Sequence, residues 1–354
     1  MRFGWLTLAH SPSPEEDQTQ IFQQLEQACL AEQLGFDGVW LTEHNFTGES
    51  VYSDPIPFAA ALAMRTSRIR IGFAVIQMAL RHPVRLATQL SLLDNLSKGR
   101  LDIGVGRGTI FNEYEFVGYG LRSDDARERM AEALDIMTRC WTATPLKHNG
   151  KYWTLRLPEM RPVPVQKPHP PIWHSVVTAP SFEACGKAGL PILTVRLPVN
   201  LIGERLGLYA KGLAESALPE AGQARLRREA ALWRWIYVGE SRAQAEDEFS
   251  EALLHTRQHM GHARSHLNPP DFKVAPNVLN PWTDTIVSDE EGIRFALANG
   301  TILGTASDVA DQIAVLRDAG VGHVLGQMSF GYLGHERITA SMRRFGEQVL
   351  PRFK

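Results

Sequence analysis

The sequence predicts an α/β fold, a (β/α)8 TIM barrel with insertions. Two observations carry that expectation. Short apolar runs alternate with helix-period stretches almost from end to end, and the runs number eight. No linker or shift in composition splits the 354 residues, so one domain over 1–354 is expected, with variable insertions at about 144–171 and 262–299.

Taken in order, "RFGWLTLA" is the first strand. In "EEDQTQIFQQLEQACLAEQLG", Ile21, Leu25, Ala28 and Cys29 recur at helical spacing and Gly35 supplies the stop. "FDGVWLTEH" is the second strand. "DPIPFAAALAMRTS" is a helix opened by prolines, which suit a first turn because they lack an N–H. "RIRIGFAVIQM" is the third strand, and Pro83 and Gly99 bracket the next helix. "RLDIGVG" is the fourth, with a helix over about 123–141 behind it. Beyond the first irregular section, "PIWHSVV", the helix "APSFEACGKAG" and "LPILTV" resume the pattern. A helix near 201–216, the strand "LWRWIYVG" and the helix "SRAQAEDEFSEALLHTRQHMG" follow. After the second insertion, "SDVADQIAVLRDAG" and "GHVLGQM" are the last helix–strand pair, and "HERITASMRRFGEQVL" closes the chain.

Composition excludes several function classes. Hydrophobic residues make up 44% and charged residues 21%, too apolar for disorder. A net charge of −2 leaves no electrostatic footprint for nucleic acid or an anionic membrane. No apolar run has the length of a signal-peptide core or a transmembrane helix, so a cytoplasmic protein is expected. Cys29, Cys140 and Cys185 lie far apart in apolar helical patterns and read as structural thiols of a reducing compartment.

The glycines of "LDIGVGRG" suggest a dinucleotide turn but do not make one. That fingerprint needs G-x-G-x-x-G after a first strand, opening a helix. Here the spacing is G-x-G-x-G, the strand is the fourth, and no helix is expected before about residue 123. At the carboxyl end of a barrel strand, Arg107 is either an anion contact or the partner of Glu113 or Glu115. "WLTEHNF" sets Glu43 and His44 at the end of the second strand, where a His exchanges protons near neutrality or simply bonds its neighbours. His82 follows the third strand and faces the same cavity or caps a helix. Thr178 and Ser181 bracket Pro180 at a helix start, the place of an anion site or of ordinary capping. His255, His259, His262 and His266 share a helical stripe without carboxylate support, so no metal is assigned. Trp5, Trp40, Trp173, Trp233, Trp235 and Trp282 line a pocket or fill the core.

"AEQLGFDGVWLTEHNF", "RHPVRLATQLSLLDNLSKGRLDIGVGRG", "AGLPIL" and "GTASDVADQIAVLRDAGVGHV" resemble the bacterial luciferase-like flavin monooxygenases, and the likeness runs over nearly the whole chain. The resemblance implies a two-component enzyme that uses FMN, reduced by a separate NAD(P)H:flavin reductase, and O2 to oxidise an aldehyde, a ketone or a similar small molecule. It implies His44 as catalytic residue, Arg107, Thr178 and Ser181 as phosphate ligands, and a cis peptide at Ala74–Val75 beneath the flavin. Glu43 and His82 then belong to the substrate side or its support, and Arg196 meets a flavin carbonyl or an anionic substrate, or is a structural ion pair. Helices 57–66 and 83–97 match a homodimer interface. Relatives on this barrel include deazaflavin-dependent hydride-transfer enzymes, and a non-catalytic flavin-binding protein is a further reading. The chain departs from the light-emitting α chains at three positions: Gly106 stands for their reactive cysteine, Val177 for an acidic residue and Arg196 for a tryptophan. Those departures argue against light emission.

Overall fold

A computed structural model describes residues 1–274 and 279–354. The chain opens with β1 (Arg2–Thr7), α1 (Asp17–Leu34), β2 (Gly38–Leu41) and α2 (Pro55–Arg65). Next come β3 (Arg70–Phe73), a two-residue continuation β4 (Ile76–Gln77), α3 (Pro83–Leu96) and β5 (Leu101–Gly106). The short α4 (Glu113–Gly118) and α5 (Ala126–Thr142) lead into an antiparallel hairpin, β6 (Leu146–Asn149) and β7 (Thr154–Leu157). Then follow β8 (Ile172–Val176), α6 (Ala179–Lys187), β9 (Ile192–Thr194), α7 (Val199–Ala214) and α8 (Glu220–Glu229). The last third holds β10 (Ala231–Val238), α9 (Arg242–Leu267), α10 (Asp289–Gly300) and β11 (Thr301–Gly304). It ends with α11 (Ala306–Asp318), β12 (His323–Ser329) and α12 (His335–Arg344).

Eight parallel strands close a ring in the order β1, β2, β3, β5, β8, β9, β10, β12, with β12 returning to β1. These are the eight strands the alternation predicts. The seventh, β10, is unusually long: its start pairs with β9 and β12, and its outer half, Trp235–Val238, pairs with β11.

Closure dictates what fills the middle. On β1, β2 and β3, Gly4, Trp40 and Gly72 face one another across the ring, and the Trp40 indole occupies the room that the two glycines leave. A side chain at Gly72 would stand 2.5 Å from that ring, so glycine is needed for close approach, not for a turn. Leu6, Trp40, Trp173, Leu193, Ala231 and Leu325 form an interior cluster against which Ala74, Val75 and Trp233 pack. Beneath them Asp102 accepts hydrogen bonds from Trp173 Nε1 (3.2 Å) and Arg70 Nε (2.5 Å), while the His323 ring lies against Trp40 and Trp173. The opposite end, where strands finish, is left to the loops.

The structure corrects several boundaries. Section 144–171 contains the β6–β7 hairpin, held by Glu132 of α5 accepting backbone N–H groups from 151–153. A helix, α4, stands between Gly108 and α5, earlier than expected. The second insertion is shorter than 262–299: α9 continues to Leu267 and α10 starts at Asp289, with the Ser288 hydroxyl accepting from Glu291 N–H. Residues 275–278 of that insertion lie outside the described residues. Among the described residues no helix is long and apolar enough to cross a membrane, and all three cysteines are free.

Candidate active site

His44 follows β2 and is largely buried at the mouth of the ring. Its Nδ1 lies 3.2 Å from Glu115 Oε1 and its Nε2 lies 3.6 Å from Glu49 Oε1. Burial alone would depress the imidazole pKa. The two carboxylates outweigh it, Glu49 above all, and raise His44 to about 9 despite the nearby Arg264. His44 is therefore an imidazolium at neutral pH. Glu115, wholly buried, is fixed by further donors: Asn112 Nδ2 at 2.8 Å and Gln77 Nε2 at 2.5 Å. Burial works to raise its pKa, but the hydrogen bond from His44 and these amides hold it low.

Glu43, adjacent in sequence, turns elsewhere. Its carboxylate accepts from Arg81 Nη2 (2.7 Å) and the Gln77 backbone N–H (2.9 Å), and Arg81 also reaches Asp54 (3.1 Å). Its backbone carbonyl accepts from Gln77 Nε2 (2.7 Å). Gln77 thus links the supports of both residues. His82 is exposed at the start of α3, and its side chain makes no capping bond.

The Ala74–Val75 peptide is cis, the geometry the resemblance implies. Val75 packs toward β5, where a side chain at Gly106 would stand 2.5 Å from Val75 Cγ2. That contact explains why this chain has no thiol at 106. Arg107, just beyond β5, is paired with neither candidate carboxylate: Glu113 holds Arg122 (2.9 Å) and Glu115 holds His44. Among the described residues Arg107 makes no ion pair. Burial lowers its pKa, and so does a second cation, Arg127, in the first turn of α5. Sequence reasoning missed Arg127, although its place in the first turn of a helix, where acidic residues are favoured, was a usable signal. Strands β5 and β8 are neighbours, so Arg107 and the start of α6 share one end of the barrel. There Thr178 is the N-cap residue, yet its hydroxyl makes no cap bond and instead donates to Ser181 Oγ (3.2 Å).

Arg196, beyond β9, stacks on tryptophans. Its guanidinium carbon is 3.9 Å from the Trp235 ring centre, 4.3 Å from that of Trp233 and 6.0 Å from that of Trp282. Burial, with Arg234 and Arg264 nearby, pushes its pKa down to about 9, which leaves it charged at neutral pH. Trp40 and Trp173 are core; Trp233, Trp235 and Trp282 form this floor. The histidine stripe of α9 divides. His255 and His259 face inward, His259 Nδ1 lying 2.7 Å from Tyr332 Oη, while His262 and His266 are exposed and stacked. His10, unmarked in the sequence reading, stacks on His259 and accepts at Nδ1 from Gly331 N–H (3.0 Å); burial drives its pKa down to about 3.

A parallel eight-stranded barrel with a carboxylate-held His and, among the described residues, arginines without ion pairs at its mouth has the architecture of an α/β-barrel enzyme. The family follows from comparison. The luciferase-like monooxygenase family model matches residues 1–323, and the chain belongs to that family. It is 26% identical, over 100% of its own length and 96% of the relative's, to the oxygenase component of a flavin-dependent trigonelline monooxygenase from Acinetobacter baylyi. Its fold matches the oxygenating constituent of 3,6-diketocamphane monooxygenase of Pseudomonas putida, a type II Baeyer–Villiger monooxygenase in complex with FMN. There the TM-score is 0.77 at 18% identity, over 100% of this chain and 99% of that one. It also matches an F420-dependent secondary alcohol dehydrogenase, with a TM-score of 0.74 at 20% identity over 100% and 99% of the two chains.

Proposed function

We propose that this chain is the oxygenase of a two-component FMN-dependent monooxygenase, supplied with reduced FMN by a separate NAD(P)H:flavin reductase, and that it oxidises a small organic substrate. The carrying observation is the unpaired Arg107 beside Arg127, at the barrel end that also holds the α6 start. Arg107 is half-buried and Arg127 exposed at the rim, and this pair of guanidinium groups, with the Thr178 and Ser181 hydroxyls, fits the phosphate of FMN. Among the described residues the buried amide oxygens of Gln77 and Gln327 have no partner, which fits a polar ligand at this end of the barrel.

When bound, reduced FMN supplies the two electrons and the oxygen-activating chemistry. The protein contributes position and protons. Val75 and Ala74 form the apolar seat beside the interior cluster. Glu115 holds His44 by Nδ1 and fixes the ring, leaving Nε2 to deliver or take back a proton. Glu43 and Arg81 brace the loop that carries His44. The exposed apolar side chains Met64 on α2 and Leu92 and Leu96 on α3 support a homodimer through those helices.

Arg107→Ala is expected to weaken FMN binding by about 10- to 100-fold, the worth of a charged hydrogen bond, and riboflavin binding hardly at all. Equal losses for both ligands would remove the phosphate role. Stopped-flow mixing of the reduced-FMN complex with O2 tests the oxygenase reading, with His44→Ala as control. Substrate-dependent hydride transfer to F420 without oxygen uptake would replace it with deazaflavin chemistry, and FMN binding with no turnover would leave a flavin-binding protein.

A further inference from the structure

The inference deepens the reading above and concerns what the mouth accepts besides the flavin. Several inward-facing arginines end on protein acceptors. Arg70 reaches Asp102, Arg81 reaches Glu43, Arg234 reaches the Leu197 carbonyl, and Arg257 reaches Asp289 and the Pro281 carbonyl. Arg196 is different. Among the described residues it makes no hydrogen bond and no ion pair; only the indole faces meet it.

A guanidinium carries five N–H donors in its plane and no acceptor. Stacked rings stabilise its charge through its faces but satisfy none of those in-plane donors. The nearby charges make the deficit worse, because Arg234 and Arg264 are both cations. The indole N–H groups of Trp233 and Trp235 also lack acceptors. The stem is held in place: its methylene carbons lie 3.0–3.4 Å from where a side chain would begin at Gly300, the last residue of α10. Trp233, like Ala74 and Val75, packs against the interior cluster, and Arg196, just beyond β9, stands at the same carboxyl end of the barrel. A wall made of donors, cations and aromatic faces matches a group that only accepts and carries negative charge.

We infer that Arg196, on its floor of Trp233, Trp235 and Trp282, recognises a carboxylate or sulfonate of an otherwise apolar or aromatic substrate. The indoles take the hydrocarbon part and the guanidinium takes the anion, which fixes the end of the molecule that stays away from the reacting atoms.

The test is equilibrium binding read by tryptophan fluorescence, since three indoles report on the site. The protein, with and without FMN, is titrated with benzoate, 2-naphthoate, hexanoate, decanoate and octanesulfonate, each against the neutral amide of the same skeleton. At least one anion should bind about tenfold or more tighter than its amide. Arg196→Gln should erase that preference and Arg196→Lys should keep part of it, with the affinity for FMN unchanged in both. No anion preferred over its amide overturns the inference. So does a preference that survives in Arg196→Gln, or a loss confined to FMN, which would assign Arg196 to the flavin. If Arg196→Gln does not fold, the wild-type anion–amide comparison and Arg196→Lys still decide. Failure of the monooxygenase reading shows separately: a protein that prefers anions but binds no FMN sinks that reading and leaves the anion site standing.

Discussion

Replacing Glu49 with Gln isolates the electrostatic clamp on His44. The carboxylate lies 3.6 Å from Nε2 and is the strongest of the influences that raise the His44 pKa from 6.5 to about 9. That rise corresponds to about 3 kcal/mol in favour of the imidazolium. Because the folded pKa lies above the unfolded one, the stabilisation is complete below pH 6.5 and is lost as pH climbs through about 9. Glu49→Gln removes one of two anions while keeping the side-chain volume. An opposite charge at this range moves a pKa by about 1–3, and with Glu49 at 3.6 Å and Glu115 still in place the low end applies, so His44 should fall to about 8. The loss of stability across the alkaline limb should shrink by about half, roughly 1.5 kcal/mol. Nitrogen-15 NMR of the imidazoles, with the His44 signals identified by their absence in His44→Gln, reads the pKa directly. Urea unfolding at several pH values between 6.5 and 9 reads the linkage, as the difference between variant and wild type. A wild-type His44 that titrates near 6.5, or a pKa that Glu49→Gln leaves in place, would refute the reasoning.

Three further outcomes are expected. Arg81→Ala strands the buried Glu43 carboxylate and should cost about 3–5 kcal/mol in urea denaturation; a loss under about 1 kcal/mol would mean that water reaches Glu43. Gly106→Ala drives a methyl to 2.5 Å from Val75 Cγ2 and should cost about 1–3 kcal/mol, most of it recovered by adding Val75→Ala; no recovery would place the strain elsewhere. Burial drives the pKa of both His10 and His323 down to about 3, whereas the unfolded chain binds those protons near 6.5, so stability should fall as pH drops from 6.5 toward 3. His323→Phe should flatten that acid limb, and a slope equal to wild type would show that His323 does not contribute to it.

The barrel was legible because each ring strand is a short apolar run ending in turn or helix-start residues, and each is followed by a helix with its own signal. The prolines at 55, 57 and 83 mark first turns that the structure confirms. What escaped was short or borrowed. β11 is four residues within a polar stretch, and it is a strand because the outer half of β10 offers it an edge. The β6–β7 hairpin has alternating exposure but rests on Glu132 of another helix, a contact no local pattern encodes. At the site, positions after strands were readable and partners were not. Arg107 had two acidic neighbours in sequence, and tertiary structure gave one to Arg122 and the other to His44.

That reassignment shows how the mouth is organised. Carboxylates are scarce inside it, and the fold places each beside a cation that must be held still: Glu43 on Arg81, Glu113 on Arg122, Glu49 and Glu115 on His44. Arg107 and Arg196, which among the described residues have no protein acceptor, follow different strands, β5 and β9. An unpaired guanidinium is costly where it is buried, as Arg196 is, and less so where it is half-exposed, as Arg107 is, unless something negative arrives. Two such costs in one mouth imply two anionic groups to be received. One molecule with a single phosphate does not account for both, because Arg107 sits with Arg127 and the start of α6, while Arg196 sits on tryptophans. The pattern of missing partners therefore points to a cofactor anion at one wall and a substrate anion at another. At the same end of the barrel, beyond β2, stands the imidazole that its carboxylates keep charged, His44.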